Sequence, residues 1–216
     1  MTQNVKNVVI DGLIFSGKTT AIRNLKTRLS SSSNTIYNFF EEPVESWMNE
    51  GWLEKYYSNI SKFASSFQIR IILSHIQQKN EIEEINRGQE SENIVNICER
   101  SAITTLNVFS KMLVNDGVLD EIELKLHEQM IEMFKYKKPD MLIYLDIDPE
   151  IAILRNLKRM RNGESNIQIE YLRKLNRAYL QELRNLAENI IIIDGTLDEI
   201  VIIDKIMYHL LQYMSH

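Results

Sequence analysis

Gly12-Leu13-Ile14-Phe15-Ser16-Gly17-Lys18-Thr19 is a glycine-bounded stretch that closes on Lys-Thr. It follows the apolar run Val8-Val9-Ile10 and precedes Thr20 to Leu29, a segment compatible with helix. Strand, loop and helix in that order form the setting a phosphate-binding loop requires. The glycines let backbone N–H groups turn inward onto phosphate oxygens, and the following helix points its positive end at them. Gly12, Ser16, Gly17 and Thr20 are then phosphate-side contacts. Lys18 would reach the outer phosphates, and Thr19 would offer its hydroxyl to Mg2+. The competing reading is a glycine turn with a surface lysine. It does not explain why Lys-Thr-Thr opens a helix.

The chain has 216 residues, 44% of them hydrophobic, enough to bury one substantial core in a single domain over 1–216. Its 25 basic and 30 acidic residues are mixed along the chain and leave a net charge of −5. That argues against nucleic acid or a membrane surface as the main partner. Cys98 is the single cysteine, so no internal disulfide or cysteine metal cluster is available. Cys98 itself reads as a small buried hydrophobe. No secretory segment and no apolar run of ~18 residues is present. A soluble, cytoplasmic protein is expected.

Five apolar runs read as strands: Val5–Asp11, Thr35–Phe39, Asn93–Cys98, Met141–Asp146 and Ile190–Asp194. They are continuous rather than alternating, as strands buried on both faces should be. Helical segments fill the gaps. Ile60, Phe63, Ala64, Phe67 and Ile71 place a long helix over Ile60 to Arg87, and others are expected near Ala102–Asn115, Asp120–Tyr136, Glu150–Met160, Glu170–Ala187 and Asp198–Tyr213. The predicted architecture is α/β, a five-stranded parallel sheet flanked by helices. Ligands of such sheets bind beyond the carboxyl ends of the strands.

The chemistry-bearing residues cluster at those ends. Glu41-Glu42-Pro43-Val44 and Trp47 follow the second strand, and Glu99-Arg100-Ser101 follow the third. Asp146-Ile147-Asp148-Pro149-Glu150 follow the fourth, with Arg155, Arg159, Arg161 and Glu164 beyond. With Phe67-Gln68 on the long helix and the phosphate loop, these motifs resemble the deoxyribonucleoside kinase family in order and spacing over nearly the whole chain. The resemblance implies a P-loop kinase with an arginine-rich lid at about 155–166, using ATP and Mg2+. It also implies a homodimer.

Phosphoryl transfer to a hydroxyl needs a proton acceptor, a metal and cations around the transferred group. The resemblance makes Glu42 the base that accepts the 5′-hydroxyl proton. Glu41 is its adjacent competitor. Arg100 would hold the acceptor's 5′-end and the phosphoryl group, and its guanidinium fork could also position Glu42. Glu99 would help Thr19 hold Mg2+, with Asp146 as a rival ligand. By resemblance, Arg155 lies against the donor adenine, Arg159 and Arg161 serve the phosphates, and Glu164 with Tyr57 holds the 3′-hydroxyl.

Gln68 should meet the acceptor's base, because a side-chain amide offers both donors and an acceptor. Phe109 would stack on that base and Trp47 would wall the pocket. His75 and Thr105 stand where some relatives carry an Arg–Asp pair that goes with cytidine or purine preference, and its absence leans toward thymidine. Phe15 stands where the family usually has a small residue, so it could narrow the acceptor site or pack outward. The sequence thus points to ATP-dependent 5′-phosphorylation of a deoxyribonucleoside in nucleotide salvage, with thymidine and deoxycytidine favoured. The nearest alternative is a thymidylate or other nucleoside monophosphate kinase. Its phosphorylated acceptor would call for cations rather than a carboxylate at Glu42.

Overall fold

The computed structural model describes residues 4–31, 34–159 and 167–214. Five strands, β1 (Asn4–Gly12), β2 (Thr35–Phe40), β3 (Asn93–Glu99), β4 (Met141–Asp146) and β5 (Asn189–Asp194), form one sheet in the order β2-β3-β1-β4-β5. All four pairings are parallel. The expected five strands are therefore all present, each within a residue or so of its predicted ends. Successive residues of a strand point to opposite faces, and here both faces are covered. Val9, Cys98, Leu142 and Tyr144 belong to one buried cluster. Val8, Ile10, Val95, Ile97 and Ile143 belong to a second on the other face. Cys98 sits in the first cluster as a buried thiol, its pKa pushed up to about 12 by burial.

Helices α1 (Lys18–Arg28) and α10 (Glu199–Met214) supply Ala21, Ile22, Ile203 and Ile206 to the second cluster. The first cluster draws on α4 (Ile60–Arg87), α7 (Glu121–Met133), α8 (Pro149–Arg159) and α9 (Ile169–Glu182). Local chemistry sets several starts. The Asn59 side chain caps α4 by accepting from Lys62 N at 3.1 Å. Asp120 and Glu123 form a reciprocal capping box on α7, satisfying donors the helix cannot pair itself. Two short helices, α2 (Val44–Asn49) and α3 (Trp52–Ser58), follow β2 where no helix was expected. Gly51 between them takes φ +79°, a turn that suits a residue without Cβ.

The expected helix after β3 is interrupted. A turn of α5 (Ala102–Thr104) passes into a π-helical segment, Thr105–Ser110, and returns to α6 (Lys111–Asn115). Such π-helical turns occur often at functional sites. Thr105 and Phe109, both within it, line the same cleft. Three asparagines stand opposite one another across the sheet, Asn7 on β1, Asn96 on β3 and Asn38 on β2. Asn38 Nδ2 donates to Asn96 Oδ1 at 3.0 Å, and Asn96 Nδ2 donates to Asn7 Oδ1 at 3.1 Å.

Candidate active site

The loop between β1 and α1 starts at a glycine that nothing else could replace. Gly12 has φ +145°, and a Cβ there would come within 2.6 Å of the Leu145 carbonyl and 2.8 Å of Ser16 Oγ. Gly17 has φ +102°. Lys18 Nζ donates to the Leu13 carbonyl at 2.8 Å and to the Gly12 carbonyl at 3.3 Å. Burial and, after it, the Arg100 charge lower the Lys18 pKa to about 8. Thr19 Oγ1 donates to Glu99 Oε1 at 2.9 Å and Oε2 at 3.1 Å. A hydroxyl and a carboxylate side by side are hard oxygen donors of the kind Mg2+ takes, so this pair fits that ion. Asp146, the rival ligand, is exposed at the end of β4.

A cleft opens beside the loop. Lys18, Thr19, Thr20, Glu42, Glu99 and Arg100 line its polar end. Trp47, Tyr57, Phe67, Gln68, Thr105 and Phe109 line the rest. The Glu-Pro-Val and Glu-Arg-Ser motifs thus meet at one site. Glu42 and Arg100 are both buried, and Arg100 Nη1 donates to Glu42 Oε2 at 2.7 Å. Burial pushes the Glu42 carboxyl up to about 7. Arg100 and Lys18 oppose that shift, while Glu99 and Asp11 add to it. Glu41 points elsewhere, paired with Arg23 at 2.7 Å on the surface.

Trp47 Nε1 donates to Ser74 Oγ at 3.0 Å, which fixes its ring edge-on to Phe67 at 6.0 Å. Phe67 also lies against Trp52 and Tyr56. Gln68 is buried, and its Oε1 has no hydrogen-bond partner among the described residues. An unpaired buried acceptor is costly, by about 1–3 kcal/mol, so an amide facing a cleft marks a place where a ligand can donate. Phe109 faces the Arg100 guanidinium, whose carbon stands 5.2 Å from the ring centroid.

His75 departs from its expected place. It does not line this cleft. It is 1% exposed, with Nε2 3.9 Å from Glu42 Oε1 and neither ring nitrogen hydrogen-bonded among the described residues. Burial, then Arg100, lowers its pKa to about 3, so the ring is neutral. Phe15 takes φ +71° and is 8% exposed. It lies on the wall of this cleft and of a second one across the loop, so it neither points outward nor serves the acceptor side alone. Arg155 borders that second cleft with Ser16, Gly17 and Thr20. Its guanidinium donates to the Ser16 carbonyl at 3.0 Å and the Gly195 carbonyl at 2.7 Å. Arg161, Glu164 and the Arg159 side chain lie outside the described residues.

Asp11 and Tyr179 are site residues that the motifs did not single out. Asp11 is fully buried at the end of β1 and accepts from Gly12 N at 2.8 Å, Tyr179 OH at 2.8 Å and Thr104 Oγ1 at 2.6 Å. The one available signal was an acidic residue closing an otherwise apolar run just before Gly12.

A parallel sheet, a glycine loop opening a helix, a lysine inside that loop and a buried carboxylate–arginine pair facing it define a P-loop kinase. The family model described as "Deoxynucleoside kinase" matches residues 8–210, and the chain belongs to that family. It is a kinase that transfers phosphate to a deoxynucleoside. "Putative kinase protein 029R" of Invertebrate iridescent virus 3 is 30% identical over 188 residues, 87% of each chain. "Probable deoxycytidine kinase FPV151" of Fowlpox virus (strain NVSL) is 31% identical over 173 residues, 79% of this chain and 68% of the viral one. The solved structure of a deoxyadenosine kinase from M. mycoides, with dCMP and a flexible dCDP bound as products, superposes with a TM-score of 0.74. It covers 95% of this chain and 99% of its own, at 24% identity.

Proposed function

We propose that this chain transfers the γ-phosphoryl group of ATP to the 5′-hydroxyl of a deoxyribonucleoside, favours thymidine and deoxycytidine, and serves nucleotide salvage. The observation that carries this reading is the buried Glu42–Arg100 contact at 2.7 Å beside the phosphate loop. A carboxyl poised near pH 7 is a competent general base, since its anion is populated while still basic enough to take a proton. Glu42 accepts the 5′-hydroxyl proton as the oxygen bonds to the γ-phosphorus and the bond to the β-phosphate bridging oxygen breaks. Arg100 and Lys18 hold positive charge where the phosphoryl group passes. Thr19 and Glu99 would hold Mg2+, which supplies further charge neutralisation on the phosphates.

Gln68 favours a pyrimidine edge, with Phe109 and Trp47 as aromatic walls. Tyr57 with Glu164 would take the 3′-hydroxyl. Arg155 would border the donor's base, and Arg159 and Arg161 would close on its phosphates. Ile122, Leu126 and Met133 leave a stripe of exposed apolar side chains along α7, which suits a homodimer. No helix among the described residues is long and apolar enough to cross a membrane, which fits the cytoplasmic setting we propose.

An acceptor panel tests the reading. The purified chain with ATP and Mg2+ should phosphorylate thymidine and deoxycytidine at the 5′ position. Preference for deoxyadenosine or deoxyguanosine would overturn the base assignment. Transfer to thymidine monophosphate but to no nucleoside would overturn the acceptor class.

A further inference from the structure

Arg100 is held at three points. Its Nη1 donates to Glu42, its Nη2 donates to the Gly12 carbonyl at 3.2 Å, and its Nε donates to Tyr179 OH at 3.2 Å. Tyr179, fully buried on α9, in turn donates to Asp11 Oδ1 at 2.8 Å. Asp11 Oδ1 also lies 3.4 Å from Arg100 Nε. The backbone of Arg100 is unusual as well, with φ +58°, a region that costs a side-chain-bearing residue about 1–2 kcal/mol. A planar guanidinium with all three nitrogens engaged has one orientation.

We propose that Asp11 and Tyr179 are positioning residues, which together lock Arg100 in the orientation that reaches Glu42 and the Gly12 carbonyl at once. Neither side chain lines the cleft. They act through Arg100 and tie the acceptor side to the first residue of the phosphate loop. Burial holds the Tyr179 hydroxyl far above its usual pKa, so it stays a donor to Asp11. Thr104 Oγ1 and Gly12 N complete the carboxylate's partners, which leaves Asp11 little freedom to turn away. The proposal rests on the kinase reading only for its effect on turnover. The geometry at Glu42 can be measured apart from catalysis.

The test compares Tyr179→Phe and Asp11→Asn with the parent in two ways. Steady-state kinetics give kcat and KM, and 13C NMR titrates the Glu42 carboxyl directly. The charged or titrating groups facing Glu42 are Arg100, Lys18, Glu99, Asp11 and His75. Tyr179→Phe keeps the ring against Phe109 and Tyr144 but removes the hydroxyl that accepts from Arg100 Nε, leaving that nitrogen only the Asp11 carboxylate at 3.4 Å. It should lower kcat by about 10- to 100-fold with KM for ATP little changed, because misplacing a reacting group costs that order. Tyr179→Phe removes no charge, so it should move the Glu42 titration to higher pH as Arg100 swings away. Asp11→Asn also deletes a neighbouring negative charge, which lowers the titration by itself, so that variant is read by kcat. A merely structural role for Tyr179 would lower the melting temperature of Tyr179→Phe and leave both its kcat and its Glu42 titration at parental values. A folded Tyr179→Phe with parental kcat and a parental Glu42 titration overturns the proposal, as does a folded Asp11→Asn with parental kcat. If Asp11→Asn does not fold, Tyr179→Phe decides. If Glu42→Gln keeps parental turnover, the base reading fails, while the NMR comparison still judges the positioning.

Discussion

Arg100 Nη1 and Glu42 Oε2 sit 2.7 Å apart, on side chains that are both buried. One comes from the end of β3 and the other from the end of β2, so the sheet brings them together. Burial raises the Glu42 pKa to about 7 although a guanidinium touches it. The carboxyl therefore changes charge within the range where the enzyme would work.

Glu42→Gln should lower kcat by ~10²–10⁴, the usual cost of losing a positioned base, with a much smaller effect on nucleoside binding. In the parent, kcat/KM for the nucleoside should fall as pH drops through about 7, because the base must be ionised to accept a proton. Near-parental turnover in Glu42→Gln would remove Glu42 from the mechanism.

Lys18 titrates in the opposite sense. Its ammonium is the form that holds phosphate, and burial lowers its pKa to about 8. kcat/KM for ATP, which reports free enzyme, should decline as pH rises through about 8. Bound phosphate should pull that pKa back up, so the alkaline limb of kcat should lie at higher pH. Lys18→Ala should abolish transfer while circular dichroism shows an intact fold. A folded Lys18→Ala protein that still consumes ATP with nucleoside would rule this loop out.

Tyr57 faces the cleft and gives the sugar a test. If its hydroxyl serves the 3′-hydroxyl, Tyr57→Phe should raise KM for thymidine and leave 3′-deoxythymidine unaffected. The 3′-deoxy analogue should already be a poor substrate of the parent, since the site's polar groups are left unpaired. Equal kcat/KM for the two nucleosides in the parent would contradict the placement.

The proposed link between base choice and the Thr105 and His75 positions can be tested directly. Thr105 lines the cleft, its hydroxyl donating to the Ser101 carbonyl at 3.3 Å. The double change His75→Arg with Thr105→Asp should shift preference away from thymidine by crowding the thymine methyl. Competition among the four natural deoxyribonucleosides measures the shift, and an unaltered preference would mean that neither position reads the base.

The strands were legible because each is a continuous, largely apolar run, buried on both faces through most of β3 and β4 and only partly covered in the edge strands β2 and β5, and periodicity placed α4 at Ile60–Arg87. α2 and α3 were not, since six and seven residues carry too little pattern, and α3 starts from Gly51. In the site, the loop and the Glu42, Glu99 and Arg100 cluster could be named because each closes a strand. Asp11 and Tyr179 could not, because their contact joins residues 168 apart in the chain and neither carries a local motif. His75 was named, yet its spacing from Gln68 does not reveal that it lies beside Glu42 instead of on the cleft wall.

The asparagine row across β1, β3 and β2 works as a ruler. Strands that are apolar on both faces have little means of rejecting a shifted alignment, since a displaced apolar side chain still finds apolar neighbours. Asn96, the buried member of the row, would on a one-step displacement point to the opposite face and lose both amide partners. Each step of slip also carries the strand end by about 3.3 Å. Arg100 follows β3 directly, so a single step would take its guanidinium out of reach of both Gly12 and Glu42. Misaligned β1 and β3 would give a compact, helix-covered sheet that is chemically silent, and the amide row selects against that product before any substrate arrives.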